Sequence, residues 1–200
     1  MELKNLTKCY DEKIIFSNIN YIFESGQVYW IKGENGVGKS TFIRMILGVD
    51  SITRGDIENI PIKKLYIPEV ELCEKWLTIN ENIRFLYDIA GVTKDQEISL
   101  DEELNIKDFN TLSMECSTGT NMKVGFSLIY ASEKWDIIII DEALAHIDLD
   151  TQRKIIKKLI ELSKRDGTIV ILTHHDDIVS NDSKYINKLI MKKDGFYEER

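Results

Sequence analysis

Residues 28–47 read VYWIKGENGVGKSTFIRMIL, and the fold of the chain turns on what the run from Gly33 to Ser40 can hold. Gly33, Gly38, Lys39 and Ser40 fill every fixed place of G-x-x-x-x-G-K-[ST]. Upstream, IIFSNINYIFESGQVYWI (residues 14–31) alternates apolar and polar positions and reads as two strands around a turn at Ser25-Gly26. Downstream, STFIRMILGV reads as a helix. A glycine-rich loop between a strand and a helix cradles phosphate, because backbone N–H groups and the positive helix end point at the same place. The amides of Asn35, Gly36, Val37, Gly38 and Lys39 would wrap a β-phosphate, with the glycines allowing close approach. Lys39 would bridge β- and γ-phosphates, the Ser40 hydroxyl would ligate Mg²⁺, and Thr41 would reach the α-phosphate. The alternative, a chance glycine-rich turn, leaves the flanking strand and helix without a purpose. By itself the loop specifies a nucleoside triphosphate and leaves kinases, GTPases and several ATPase classes open.

A second stretch narrows that choice. WDIIIIDEALAHID, Trp135 to Asp148, runs isoleucines 137–140 straight into Asp141 and Glu142. Such a run predicts a strand buried on both faces, and two carboxylates at its end need a cationic neighbour. Asp141 fits the second Mg²⁺ position beside a phosphate loop, reached through a bound water. Glu142 lies where a carboxylate can polarise an attacking water and take its proton. A solvent-exposed acidic pair at a strand end is the plainer reading.

The 200 residues suit one domain with a real core, and 43% hydrophobic with 30% charged residues is ordinary for a soluble globular protein. A formal net charge of -8 argues against broad attraction to nucleic acid or anionic lipid. MELKNLTKCYDEK has no signal-peptide core, and no run is long and apolar enough to predict a membrane helix. Cys9, Cys73 and Cys116 are scattered and read as idle thiols in a reducing cytosol.

A hairpin-like section is expected up to about Ile67, and helical periodicity from Glu74 to Ser132, with Ile83, Leu86, Tyr87 and Ala90 on one stripe. TQRKIIKKLIELSKR (151–165) predicts an amphipathic helix buried through Ile155, Ile156, Leu159, Ile160 and Leu162, its lysines a solvated face. TIVILTHH predicts another buried strand, and KYINKLIMKKDGFYEE an edge hairpin turning at Asp194-Gly195. Strand–helix alternation with buried strands predicts a mostly parallel sheet covered by helices.

Together these segments resemble the nucleotide-binding subunit of an ATP-binding cassette (ABC) transporter, from about Leu3 to Tyr197. Tyr10 precedes the loop where the family places an aromatic that stacks on adenine. CSTGTNMKVGFSLIYAS (Cys116 to Ser132) resembles the signature segment, a Ser-x-Gly turn opening a helix. DEALAHID resembles the acidic strand end and dimer-crossing loop, closing at Asp148. ILTHH resembles the switch strand, with His174 in the place of the γ-phosphate-sensing histidine. On physical grounds Ser117 and the amides of Thr118 and Gly119 sit at a helix start suited to an anion. Their separation from the phosphate loop points to a site shared by two chains. Taken singly, Tyr10 reads as a core or surface aromatic and His174 as structural. A metal cluster in HHDD is disfavoured, since neighbours on a strand face opposite ways.

The resemblance implies an α/β fold: a P-loop NTPase core with a mostly parallel sheet, an N-terminal antiparallel β subdomain and a short helical lobe. It implies a single ABC ATPase domain over 1–200, with the core in 1–68 and 133–200 and the lobe in 69–132. Its ligands are ATP and Mg²⁺. LYIPEV puts Glu69 where most members carry the Gln that touches Mg²⁺ and the attacking water, so Glu69 joins Glu142 and His174 among the catalytic candidates and Ser40 and Asp141 among the metal ligands. The context of Glu69 is similar to a subclass of bacterial exporters. Cys116, Thr118 and Thr120 depart from the usual Leu, Gly and Gln, and Ala143 and Ala145 from the usual Pro and Ser, which admits a heterodimer beside a homodimer. The expected function is ATP hydrolysis on the cytoplasmic face of a membrane, driving export by a separate permease, with no nucleic-acid partner. Trp76 reads either as a permease contact or as lobe core. The chain ends soon after the edge hairpin, leaving no room for a regulatory C-terminal domain. Alternatives are a soluble ABC ATPase uncoupled from transport, and a small-molecule phosphotransferase, which leaves the signature and His174 unexplained.

Overall fold

Two sheets divide the strands, and the division follows which residues can be buried on one face or on both. The structure, a computed structural model, describes residues 1–93, 99–174 and 183–199. β1 (Glu2–Tyr10) pairs antiparallel with β2 (Lys13–Ile22) and, on its other edge, with β4 (Arg54–Glu58), giving a three-stranded sheet. β3 (Val28–Lys32) leads into α1 (Lys39–Leu47), and β5 (Lys64–Ile67) follows β4. α2 (Ile79–Ala90), α3 (Leu100–Leu104) and α4 (Thr118–Phe126) make the helical section before β6 (Ile137–Asp141). α5 (Leu149–Asp166), β7 (Ile169–Thr173), β8 (Ile186–Lys192) and β9 (Gly195–Glu198) complete the chain.

The main sheet has the order β5-β6-β7-β3-β8-β9, parallel except for the antiparallel edge strand β9. Every residue of β6 and β7 is buried, as a strand covered on both faces requires. Alternate isoleucines enter different cores. Ile138 and Ile140 pack with α5 and the helical section, while Ile137 and Ile139 pack with α1 and the three-stranded sheet. The expected stripe of α5 is buried in full, and Ile83 and Tyr87 of α2 are buried with Leu86 and Ala90 against them.

Two local expectations are corrected. The turn at Ser25-Gly26 exists, but β2 and β3 lie in different sheets and do not pair with each other. The section up to Ile67 is not a hairpin either, because β4 pairs with β1 and β5 with β6. β1 has no clean alternation to read. Register shifts between Leu3 and Leu6 and between Leu6 and Lys8, with Asn5 at a φ of 49°, break its period. The final hairpin forms as expected. Trp76 is 75% exposed, so the lobe-core reading of that residue fails.

The helical section is tied to the core by Lys123 of α4, a buried ammonium 2.7 Å from Asp148. Asp148 also caps α5, accepting the Thr151 N–H at 3.0 Å. Burial raises the Asp148 carboxyl, but hydrogen bonds from Lys123 and Thr151 outweigh it and hold it at about 2. A folded pKa below the unfolded 3.8 means a contribution to stability that is present above that value and lost as pH falls toward 2. Denaturant titrations of wild type and Asp148→Asn should therefore differ most near neutral pH and converge as pH drops from 4 toward 2; a pH-independent difference contradicts this account.

Candidate functional site

The carboxyl ends of β3, β5, β6 and β7 open on one side of the sheet, where ligands bind in open parallel sheets. β7 lies between β3 and β6, so the phosphate-loop strand and the acidic strand stand one strand apart. A cleft of about 400 Å³ forms there, lined by Ile15, Asn35, Gly36, Gly38, Lys39, Ser40, Thr41, Glu69, Asp141 and Glu142. The structure thus gathers nine expected residues into one cavity. Val37 is not in that lining: its side chain belongs to the core under the loop, and its N–H donates to the Glu34 carbonyl at 3.2 Å.

α1 begins at Gly38 with no side-chain cap and no acidic residue in its first turn. Its first N–H groups therefore keep their bonding capacity for an anion. Gly38 has a φ of +113°, and a Cβ there would stand 2.8 Å from Ile15 and 2.9 Å from Phe16. Lys39, buried at 7% exposure, donates to the Gly33 carbonyl at 2.9 Å and so arches back over the loop.

The acidic side is equally constrained. Asp141 ends β6, and its Oδ1 accepts from Thr173 Oγ1 at 2.6 Å. Burial first, then the charge of Asp141 and a hydrogen bond to it, hold the Tyr66 phenol above the ordinary tyrosine range. Glu142 adopts the left-handed conformation, φ 55° and ψ 3°, which costs a non-glycine residue about 1–3 kcal/mol. Its N–H donates to both the carbonyl and the hydroxyl oxygen of Thr173, each at 3.1 Å. Glu69 is exposed at the cleft and lies 3.9 Å from His146 Nε2, in the turn after Glu142.

Carboxylates of Glu69, Asp141 and Glu142 thus face one ammonium, that of Lys39, before any phosphate enters. A nucleoside triphosphate fits only with a cation, and the donors present are the Ser40 hydroxyl and carboxylate oxygens, the hard set that suits Mg²⁺.

The other expected residues do not line this cleft. Tyr10 is exposed, hydrogen-bonded through its hydroxyl to Asp50, with Lys8 Nζ 4.5 Å from its ring centroid. That bond to Asp50 is the largest cause raising its phenol above the usual range. His174 follows Thr173, is buried, and takes the Trp30 indole N–H on its carbonyl at 3.2 Å. His175 to Asp177 lie outside the described residues. Ser117 caps α4 by accepting the Thr120 N–H at 3.2 Å. A Cβ on Gly119 would meet the His146 carbonyl at 2.9 Å, so only glycine lets this turn pack against the loop after Glu142. Strand register and loop packing place Thr173, Tyr66 and His146 here, and neither leaves a local mark in a sequence. The three thiols form no disulfide, and burial pushes Cys73 up to about 11.

Lys39→Ala should weaken MgATP binding roughly 10- to 100-fold, the worth of one or two charge-assisted hydrogen bonds. Titration with a fluorescent nucleotide checks this; unchanged affinity contradicts it.

Comparison with known proteins bears on the identity of this site. The description "ABC transporter" belongs to the family whose profile matches residues 16–145. An aliphatic sulfonates import ATP-binding protein of Pseudomonas syringae is 27% identical over 88% of this chain and 75% of its own length. A cytochrome c biogenesis ATP-binding export protein of Vibrio cholerae is 27% identical over 92% of this chain and 95% of its own. A solved dimeric ATP-binding cassette in a post-hydrolysis state with ADP and Pi has the same fold, with a TM-score of 0.78 at 23% identity, over 100% of this chain and 97% of that one. The chain is an ATP-binding, ATP-hydrolysing member of the ABC transporter family.

Proposed function

We propose that this ATPase powers a separate membrane permease by closing as a head-to-tail pair of chains with nucleotide held between them. The observation that carries the reading is the position of the signature turn. Ser117 and Gly119 are not among the residues lining their own chain's cleft, and Ser117 is exposed at the start of α4. An anion-suited helix start that serves no phosphate of its own chain has a use if a second copy presents it. The related cassette solved with ADP and Pi is dimeric.

Tyr10 stacks on adenine, and the amides of Asn35, Gly36, Val37 and Gly38 with Lys39 and Thr41 hold the phosphates. Ser40, Asp141 and Glu69 would hold Mg²⁺, whose positive charge would offset that of the phosphates. Glu142 accepts the proton of the attacking water while His174 bonds the γ-phosphate and keeps that geometry. The pair is two copies of this chain; the departures at Thr118 and Ala143 make a different second chain the alternative.

The permease docks beside Glu69. Asn82, buried at 1% exposure, accepts the Glu74 N–H at 2.7 Å and donates to the carbonyls of Glu74, Leu77 and Thr78 at 3.1, 3.2 and 3.1 Å. This fixes the loop that holds Trp76 out in solvent, and Phe85 and Ile89 of α2 are exposed as well. Asn121 of α4 donates to Glu71 at 3.2 Å, which links the docking segment to the signature helix. Among the described residues no helix is long and apolar enough to cross a membrane, so a permease supplies the path. The relatives include proteins named for import and for export. We assign export, on the context of Glu69, with the chain on the cytoplasmic face.

Glu142→Gln should lower ATP turnover on the order of 10²- to 10⁴-fold while retaining MgATP; turnover equal to wild type removes Glu142 from the chemistry. A polytopic membrane protein should co-purify with the tagged chain from its own host membranes, in several-fold lower yield with Trp76→Ala. Equal yields would place the docking face elsewhere.

A further inference from the structure

We infer that Thr173 is a positioning residue for hydrolysis, its one hydroxyl holding the Asp141 carboxylate and the Glu142 backbone N–H in working geometry. The inference rests on the roles proposed above for Asp141 and Glu142. β6 and β7 run parallel with Asp141 beside Thr173, and Thr173 is 1% exposed, so the contact is made inside the protein. Thr173 Oγ1 donates to Asp141 Oδ1 at 2.6 Å and accepts the Glu142 N–H at 3.1 Å.

The direction of this chain follows from chemistry. An ionised carboxylate can only accept and a backbone N–H can only donate, so the single hydroxyl proton is committed to Asp141 and a lone pair to Glu142. Bonds that run N–H to hydroxyl to carboxylate polarise one another, the more so where water is excluded. Two consequences follow. Asp141 has one oxygen pinned, which fixes the carboxylate that meets the cation. Glu142 has its left-handed backbone held from the neighbouring strand, and that backbone sets where its side chain leaves the strand and enters the cleft. Ser40 and Lys39 lie across the same cleft and do not depend on Thr173, so nucleotide binding and hydrolysis should separate when the hydroxyl is removed.

Thr173→Val keeps the β-branched shape of a buried strand residue and deletes the hydroxyl. Thr173→Ser and Thr173→Ala both lack the methyl group and differ only in the hydroxyl, so their contrast remains readable if the valine variant fails to fold. We expect Thr173→Val and Thr173→Ala to bind MgATP within about threefold of wild type and to lose roughly 10- to 100-fold in kcat. Half-saturation by Mg²⁺ should move to higher concentration, and Thr173→Ser should recover most of the loss in both readouts. Equal kcat and Mg²⁺ dependence for the serine and alanine variants would overturn the inference, since packing alone would then account for Thr173. Failure of the wider reading is seen separately, as Glu142→Gln turning over like wild type.

Discussion

Negative charge concentrated at the end of a buried strand is the constraint on which this structure depends. Asp141 and Glu142 stand where four isoleucines have carried the chain through the middle of the protein, and Glu69 joins them in the same cleft. Carboxylates so placed repel one another and any phosphate unless cations and N–H dipoles are arranged around them. The uncapped start of α1 and the Lys39 ammonium supply the protein's share, and under the proposed function a hard divalent ion supplies the remainder. The cleft is thus built to be completed by a ligand.

The sheet order makes this possible. By lying between β3 and β6, β7 separates the phosphate loop from the carboxylates by one strand's width and brings Thr173 and His174 to the gap. Burial on both faces of β6 and β7 makes that spacing rigid, because side chains of alternating isoleucines interlock with α1 below and α5 above. The same rigidity holds Glu142 in a backbone conformation that a glutamate on a loose loop would leave.

Much of this was legible in the sequence because motif chemistry is local. Gly33 to Ser40, the four isoleucines and the acidic pair each declare their element and their task within a few residues. What stayed hidden depends on register and on which strand neighbours which. Register shifts around Asn5 and Lys8 hide the alternation of β1, and proximity in sequence suggests pairing among β2, β3, β4 and β5 that the two sheets divide. Thr173 was visible as a letter, but its bond to Asp141 requires knowing that β6 and β7 are side by side. His146 beside Glu69 is a similar case, since two loops remote in sequence meet at the mouth of the cleft. Tyr10, Ser117 and His174 stand out by family resemblance, since they lie on or beside elements that no local period would bring together.

The central claim is that one chain holds the nucleotide and a second completes its enclosure through Ser117 and Gly119. The most direct measurement is the mass of the Glu142→Gln chain by light scattering, taken without nucleotide and then with saturating MgATP. The account predicts single chains without ATP and twice that mass with it, the change abolished by a bulky residue at Ser117. A chain that binds ATP yet keeps its single mass at every protein concentration would contradict the account.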